Sequence, residues 1–339
     1  MKYTYSLLAL VMLGGLSVSS SAGASNDSST STTTASGSTS TTVPNKPVYV
    51  APLSGVPDPR GLTRHHSAIT IKIDNTYAAR PQFGINEADV VYEEIVEGGI
   101  TRLAAIFDSH LPTVVGPIRS VRRTDREIVS PIRGVFACSG GAQYALQSIA
   151  TAPVKFLDEA TSGGAMFRDA KRYPPHNLLG NAAALLKLAK GTKPPRSLFS
   201  YRERGVQAPG AKVKSFTVGF AAGYQTSYTW DQATLSWNRF IFGAPDLVAS
   251  GAQLSPRNVI VMNVNYKGGV GVIGAEAQLT GSGPVEIFTD GRVERGTWTR
   301  GSMTQPTLYK NNGRTIELTP GQTWVELLDT SERATITAN

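Results

Sequence analysis

Between Asp74 and Asp125 the chain reads DNTYAARPQFGINEADVVYEEIVEGGITRLAAIFDSHLPTVVGPIRSVRRTD, with carboxylates in its first half and guanidiniums in its second. Arg119, Arg122, Arg123 and Arg126 fall within one turn and the helix predicted after it. A guanidinium grips phosphate or carboxylate through two parallel N–H donors. On a helix Arg119, Arg122 and Arg126 share a face, and a helix N-terminus adds free N–H groups. That pattern describes an anion site; the plain alternative is a solvated basic face paired with Asp125 and Glu127. Among the acids, Asp74 ends a predicted strand, while Glu93 and Glu97 share one face of another. Such carboxylates suit a general base or a divalent cation, and equally a pairing with Arg102 across a hairpin. His176, in Pro174-Pro175-His176-Asn177-Leu178, suits acid/base work or anion binding, with Asn177 as the cap of a following helix. The catalytic candidates are therefore Asp74, Glu93 and His176. The ligand-binding candidates are Asn75, Arg80, Glu97, Arg102, Arg119, Arg122, Arg168 and Asn177. No metal set is assigned and no cofactor is named.

Regular elements must hold these groups in place. Ile69, Ile71 and Ile73 alternate with Thr70 and Lys72, which predicts a half-buried strand over 68–73 with Asp74-Asn75 at its exit. DVVYEEIVE (89–97) reads as a helix or as a strand; dense β-branched residues and Gly98-Gly99 favour a strand turning into 100–107 as a hairpin. Ser120 is the expected N-cap of a helix from Val121 to about Ser130. A strand at 134–138, a helix at 142–150 and a helix from Leu178 to Lys190, stopped by Gly191, complete an α/β pattern over 51–195. Past Lys193-Pro194-Pro195 the chain turns into short β runs separated by Gly, Asn and Pro. Asp290-Gly291 and Asn312-Gly313 mark hairpins there. The expectation is an α+β protein: a layered mixed-sheet N-terminal domain with helices, then a smaller, mostly antiparallel β domain over 210–335.

The ends and the composition narrow the partners. One Lys2, an apolar run from Leu7 to Leu16 and Ala22-Gly23-Ala24 form a secretory signal peptide over 1–24, or an uncleaved anchor. The next segment, 25–50, is a disordered linker; 14 of the 22 residues from Ser25 to Lys46 are Ser or Thr. An extracytoplasmic chain of net charge +8 favours anionic cell-wall or lipid-linked partners and sets nucleic acid aside. Membrane association is left to an uncleaved leader. Cys138, the single cysteine, forms no intrachain disulfide and reads as a small buried residue rather than a catalytic thiol. No nucleophile elbow, phosphate-binding P-loop, paired-cysteine zinc site or His-Glu-x-x-His is present.

Several longer motifs add a resemblance. Pro52-Leu53-Ser54-Gly55, Ile73-Asp74-Asn75, Arg80-Pro81-Gln82, Ala88 to Glu93, Glu97 to Arg102, Gly116 to Ser120 and Pro175 to Leu178 are similar to the YerB-like bacterial lipoprotein family. Gly296-Thr297-Trp298 and Pro320 to Trp324 resemble that family's C-terminal domain. The resemblance implies an extracytoplasmic α+β domain followed by a smaller β-rich one, and no established activity. The chain departs from the family in lacking a lipid-bearing cysteine and in placing Cys138 where a histidine is expected. Three functions follow as expectations. The first is binding of a phosphorylated glycan or lipid-linked pyrophosphate in an Arg/acid cleft. The second is a phosphotransferase or hydrolase using Asp74 and Glu93. The third is a non-enzymatic scaffold for another envelope protein.

Overall fold

The isoleucine alternation forms strand β1 (Ile69–Asp74). The structure is a computed structural model that describes residues 49–221, 223–331 and 334–338. The expected leader and nearly all of the expected linker lie outside the described residues. β1 differs from its predicted half-buried state: all six residues are buried. The reason is chemical, because Lys72 has acidic partners inside, donating to Glu94 and, at 2.7 Å, to Asp125. A lysine this deep is tolerated only when it is paired.

Strands β2 (Val90–Ile95) and β3 (Thr101–Phe107) pair antiparallel, with Val90 opposite Ile106 and Ile95 opposite Thr101. The strand reading of 89–97 therefore prevails over the helix. The link is a 3-10 turn at Glu97–Gly99 rather than a two-residue turn, with Gly98 and Gly99 at φ 75° and 73°. Glycine enters that region without steric cost. Helix α1 (Arg123–Val129) starts later than the sequence suggests, and Ser120 does not cap it. Asp125 accepts the Arg122 N–H at 2.6 Å instead. Strand β4 (Val135–Ala137), helix α2 (Gln143–Ile149) and strand β5 (Lys155–Leu157) follow, then β6 (Met166–Arg168) and β7 (Leu178–Gly180), which pair with each other. The long helix expected from Leu178 is thus a strand followed by a short helix, α3 (Ala182–Lys187). The carbonyls of Leu178 and Gly180 accept from Ile118 and Val115 at 2.6 and 2.9 Å, and these tertiary bonds override the local Ala/Leu preference. Asn181, not Asn177, caps α3 through a 2.8 Å bond from Ala184 N–H.

The second half is strand-rich: β8 (Ala211–Gly219), β9 (Gln225–Asp231), β10 (Ser236–Ile241), β11 (Ala244–Pro245), β12 (Asn258–Lys267) and β13 (Glu276–Gln278). These precede β14 (Gly281–Thr289), β15 (Arg292–Arg300), β16 (Leu308–Asn311), β17 (Arg314–Thr315), β18 (Thr323–Asp329) and β19 (Thr335–Ala338). Asp290-Gly291 and Asn312-Gly313 do turn hairpins, β14–β15 and β16–β17. Antiparallel pairing dominates here, but β12 and β18 run parallel, with Ile260 opposite Val325. A mixed sheet continues through both halves in the order β5–β4–β1–β3–β2–β18–β12–β14–β15. The junction is the parallel pair β2–β18, where Glu93 faces Glu326. The described residues accordingly form one compact unit.

A buried ionic group sits beside that junction. Arg239, wholly buried on β10, donates to Glu93 at 2.6 Å, to Asp246, and to the Tyr228 hydroxyl at 3.1 Å, and lies 4.5 Å over Trp324. Burial opposes its charge most strongly, yet Glu93 and the neighbouring groups hold its pKa above the ordinary arginine value. Burial, and then the charge of Glu93, push the Glu326 carboxyl well above its ordinary pKa. Removing one partner from such a pair strands the other charge. Arg239→Met is expected to lower unfolding free energy by about 3–5 kcal/mol, read by urea denaturation; a loss under ~1 kcal/mol would contradict the assigned coupling.

Candidate functional site

The chemistry gathers at the exit of β1. Two backbone bonds lay the segment after Gly116 along this strand end: Asp74 N–H to Pro117 O at 2.9 Å and Arg119 N–H to Lys72 O at 2.8 Å. Gly116 (φ 143°) has to be glycine, since a Cβ would lie 2.9 Å from both Ile118 N and Leu178 O. On the other side β3 sets Arg102 directly opposite Asp74. Arg119 therefore reaches the Asp74 carboxylate at 3.0 Å. The Asp74 side chain is fully buried, whereas those of Arg119 and His176 are about one-fifth exposed, at 22% and 21%.

His176 arrives from the loop between β6 and β7. Arg172 clamps that loop, donating to Ala79 O at 2.9 Å and Pro81 O at 2.6 Å while stacking on Phe83. His176 Nδ1 then lies 2.7 Å from Asp74 Oδ2 and 3.3 Å from Thr76 Oγ1. Asp74 also accepts the Thr76 N–H at 3.0 Å. Burial works against its ionised form, but the bonds from Thr76 and His176 and the charge of Arg119 prevail and hold its pKa below the ordinary carboxylate value. An ionised carboxylate only accepts, so the proton between them sits on His176 Nδ1, and in the neutral ring Nε2 carries the lone pair.

Arg119 meets this dyad directly, Arg102 lies opposite Asp74, and Arg122 is a charged neighbour of Arg102. Arg102 is 6% exposed, donates to Ser120 O at 3.1 Å, and its buried Nε has no hydrogen-bond partner. Burial first, then the charges of Arg122 and Arg119, pull its pKa down to about 10, while Glu97 and Asp74 offset part of that. Arg122 binds both Glu97 oxygens, through Nε at 2.7 Å and through the second nitrogen. Against burial, that pairing and Arg102 hold Glu97 below its ordinary pKa.

The remaining candidates lie elsewhere. Glu93 is fully buried with Arg239 and also accepts from Asn75 at 3.0 Å and Thr101 at 2.6 Å. Consecutive residues Asp74 and Asn75 thus serve different clusters, and Glu93 does not join Asp74. Arg80 donates to Asn75 and to the Tyr224 hydroxyl, both at 2.8 Å, and belongs to the Glu93 side. Arg168 pairs with Glu159 and with Asn177 at 2.8 Å. Arg126 points away, to Glu276 at 3.0 Å, so the shared arginine face of a helix does not form. Nor does the end of α1 offer anion-binding N–H groups, since Asp125 occupies it. Cys138 is buried, and burial above all pushes its thiol up to about 12. Thr76, Arg172 and Arg239 carry no motif; the proximity of Thr76 to Asp74 in sequence is the one signal that points to any of them.

Comparison with known proteins comes to the same frame. The N-terminal and C-terminal domains of a family described as protein of unknown function (DUF3048) match residues 53–195 and 216–325. The chain belongs to the YerB-like family. It is 24% identical over 305 residues to a Bacillus subtilis (strain 168) protein named "Putative lipoprotein YerB", covering 84% of this chain and 88% of that one. The crystal structure of the YerB protein from Bacillus subtilis superposes with a TM-score of 0.73 at 22% identity, over 85% of this chain and 99% of that one. The fold is therefore shared with YerB.

In this YerB-like chain a separate acidic group lies where β2 begins and β3 ends. Asp89 is satisfied by the N–H groups of Asp108 and Ser109 at 2.7 and 2.9 Å, and Asp58 by Leu62 and Thr63. Asp108, 1% exposed, has no hydrogen bond to either oxygen; His66 Nδ1 is 3.6 Å away. Burial, then Asp89 and Asp58, raise its pKa to about 8. Between roughly pH 4, where the unfolded carboxyl titrates, and about 8 the folded chain holds a proton that the unfolded chain lacks. Its contribution to stability therefore falls as pH rises through that window, by up to ~1.4 kcal/mol per unit. Asp108→Asn is expected to flatten the decline between pH 5 and pH 8 in urea unfolding; parallel curves for the two proteins would contradict it.

Proposed function

We propose that this is a cell-envelope protein that binds an anionic ligand, a phosphorylated glycan or a lipid-linked pyrophosphate, at Arg102, Arg119, Arg122 and His176. The location is supported by the leader sequence and by the lipoprotein name of the Bacillus subtilis relative. One observation carries the ligand class: three guanidiniums crowd around two carboxylates, and Arg102 keeps a buried Nε without a partner while burial, and then its neighbours' positive charge, depresses its pKa. A phosphate oxygen brought to Arg119 and Arg102 relieves that excess charge and supplies the acceptors the guanidiniums lack. Half-burial strengthens the attraction relative to open water.

A second reading rests on the 2.7 Å contact between Asp74 and His176. A carboxylate that fixes the proton on Nδ1 leaves Nε2 as a general base, here next to arginines that stabilise a developing oxyanion. A phosphoryl or glycosyl hydrolase built on this dyad uses Asp74 and His176, and Glu93 has no part in it because Arg239, Asn75 and Thr101 occupy it inside the sheet.

Calorimetric titration with inorganic pyrophosphate tests the first reading. Arg119→Ala is expected to weaken binding roughly 10- to 100-fold, the equivalent of one charged hydrogen-bond pair; unchanged affinity would sink the proposal. For the second, wild-type protein would release phosphate from a lipid or sugar pyrophosphate, and His176→Gln would abolish release while weakening pyrophosphate binding far less than Arg119→Ala does.

A further inference from the structure

The turn that supplies Thr76 to the site continues as one wall of a second concavity. Tyr77, Arg80 and Pro81 line it on this side, and the β10–β11 hairpin lines it on the other with Ile241, Phe242 and Leu247. Its volume of about 530 Å³ falls within the range of small-molecule sites. Tyr77, Phe242 and Leu247 are 87%, 52% and 43% exposed, a concentration of large apolar side chains beside a polar centre. The charged groups in the lining are turned on each other: Arg80 Nε and Asp246 Oδ1 are buried, 3.9 Å apart and without other partners. The groove therefore presents carbon rather than charge.

The hairpin turn bears on the same point. Ile241 pairs with Ala244, and the two residues between them, Phe242 and Gly243, have φ 49° and 79°. A turn with both central residues in the left-handed region favours Asn, Asp or Gly at the first position. A phenylalanine there is unfavourable for the backbone, yet it holds an aromatic ring at the mouth of the groove, edge-on to Tyr224 at 5.0 Å. Tyr224 in turn donates to Asn75 O at 2.9 Å, and Arg172 ties the His176 loop to Ala79 and Pro81. One rigid frame thus carries both the guanidinium cluster and the groove.

We propose that the groove takes the hydrocarbon chain of an amphiphile whose phosphate or pyrophosphate headgroup sits on Arg102, Arg119 and His176. The inference rests on the anion reading above and narrows it to a lipid-linked ligand: the headgroup meets the arginines, and the chain crosses Tyr77 into the space between Phe242 and Leu247. A purely polar phosphoglycan leaves that apolar surface uncovered.

The test compares farnesyl pyrophosphate with inorganic pyrophosphate on the full chain by calorimetry. Farnesyl pyrophosphate is expected to bind at least ~10-fold more tightly, since burial of a few methylenes suffices for that gain. Phe242→Asn, which suits the turn and so leaves the fold and thermal midpoint intact, is expected to erase most of the difference without changing pyrophosphate affinity. Leu247→Asp should act in the same way. Equal affinity of the wild type for the two ligands, or a retained difference in both variants, overturns the chain assignment while leaving the anion site standing. Failure of the wild type to bind either ligand refutes the anion site and this inference with it.

Discussion

Arg239 is the charge around which the two halves are matched. It originates in the second half and has Glu93, in the first, as one of its two carboxylate partners. A guanidinium with no exposure is stable only when each of its directions meets an acceptor or an aromatic face. Here Glu93, Asp246, Tyr228 and Trp324 fill those directions, and shifting β10 against β2 would strand at least one full charge. The pair therefore acts mainly on specificity: it selects one placement of the strand-rich half against the mixed sheet, at the point where β2 and β18 run side by side. Burial and the charge of neighbouring Glu93 raise the pKa of Glu326, which opposes a third negative charge beside the one arginine.

That placement reaches the candidate site through a short relay. Glu93 accepts from Asn75, Asn75 accepts from Arg80, and Arg80 donates to Tyr224 from the second half. The position of the 75–81 turn thus depends on contacts with both halves. The Asp74 carboxylate, one residue earlier, goes instead to His176 and Arg119. A single strand exit so divides its polar groups, one set locked inside as structure and the other half-exposed with spare positive charge. The second set is the one that combines partial exposure with a crowd of guanidiniums, among them Arg102 with its buried, unpartnered Nε.

Much of this was legible in local pattern. Alternating isoleucines, the glycine pair after Glu97 and the Asp-Gly and Asn-Gly turns each encode a backbone choice within a few residues, and strands and hairpins formed where they pointed. The dyad between Asp74 and His176 drew on the right residue types, but 102 positions separate them and no spacing rule joins them. Local pattern failed where a distant backbone offered better bonds. Leu178 to Gly180 carries residues suited to a helix and became a strand because Val115 and Ile118 present free N–H groups beside it. Lys72 looked like the wet side of a strand until Glu94 and Asp125 closed over it. The Phe242-Gly243 turn gave no signal at all, since its first residue is one the turn disfavours.

By itself, then, the chain's order of residues settled most of the strands and hairpins, the family and the stretch in which acids and arginines concentrate, because hydrophobic period, turn chemistry and long motifs are short-range properties. Which acid meets which arginine was decided only by the tertiary structure. Asp74, Glu93, Glu94 and Glu97 are alike in chemistry and close in sequence, yet each found a different partner: His176 with Arg119, Arg239, Lys72, and Arg122. Charge pairing inside a protein is set by which side chains the packed sheet brings within about 3–4 Å and seals from water, and that distance is a property of the whole fold.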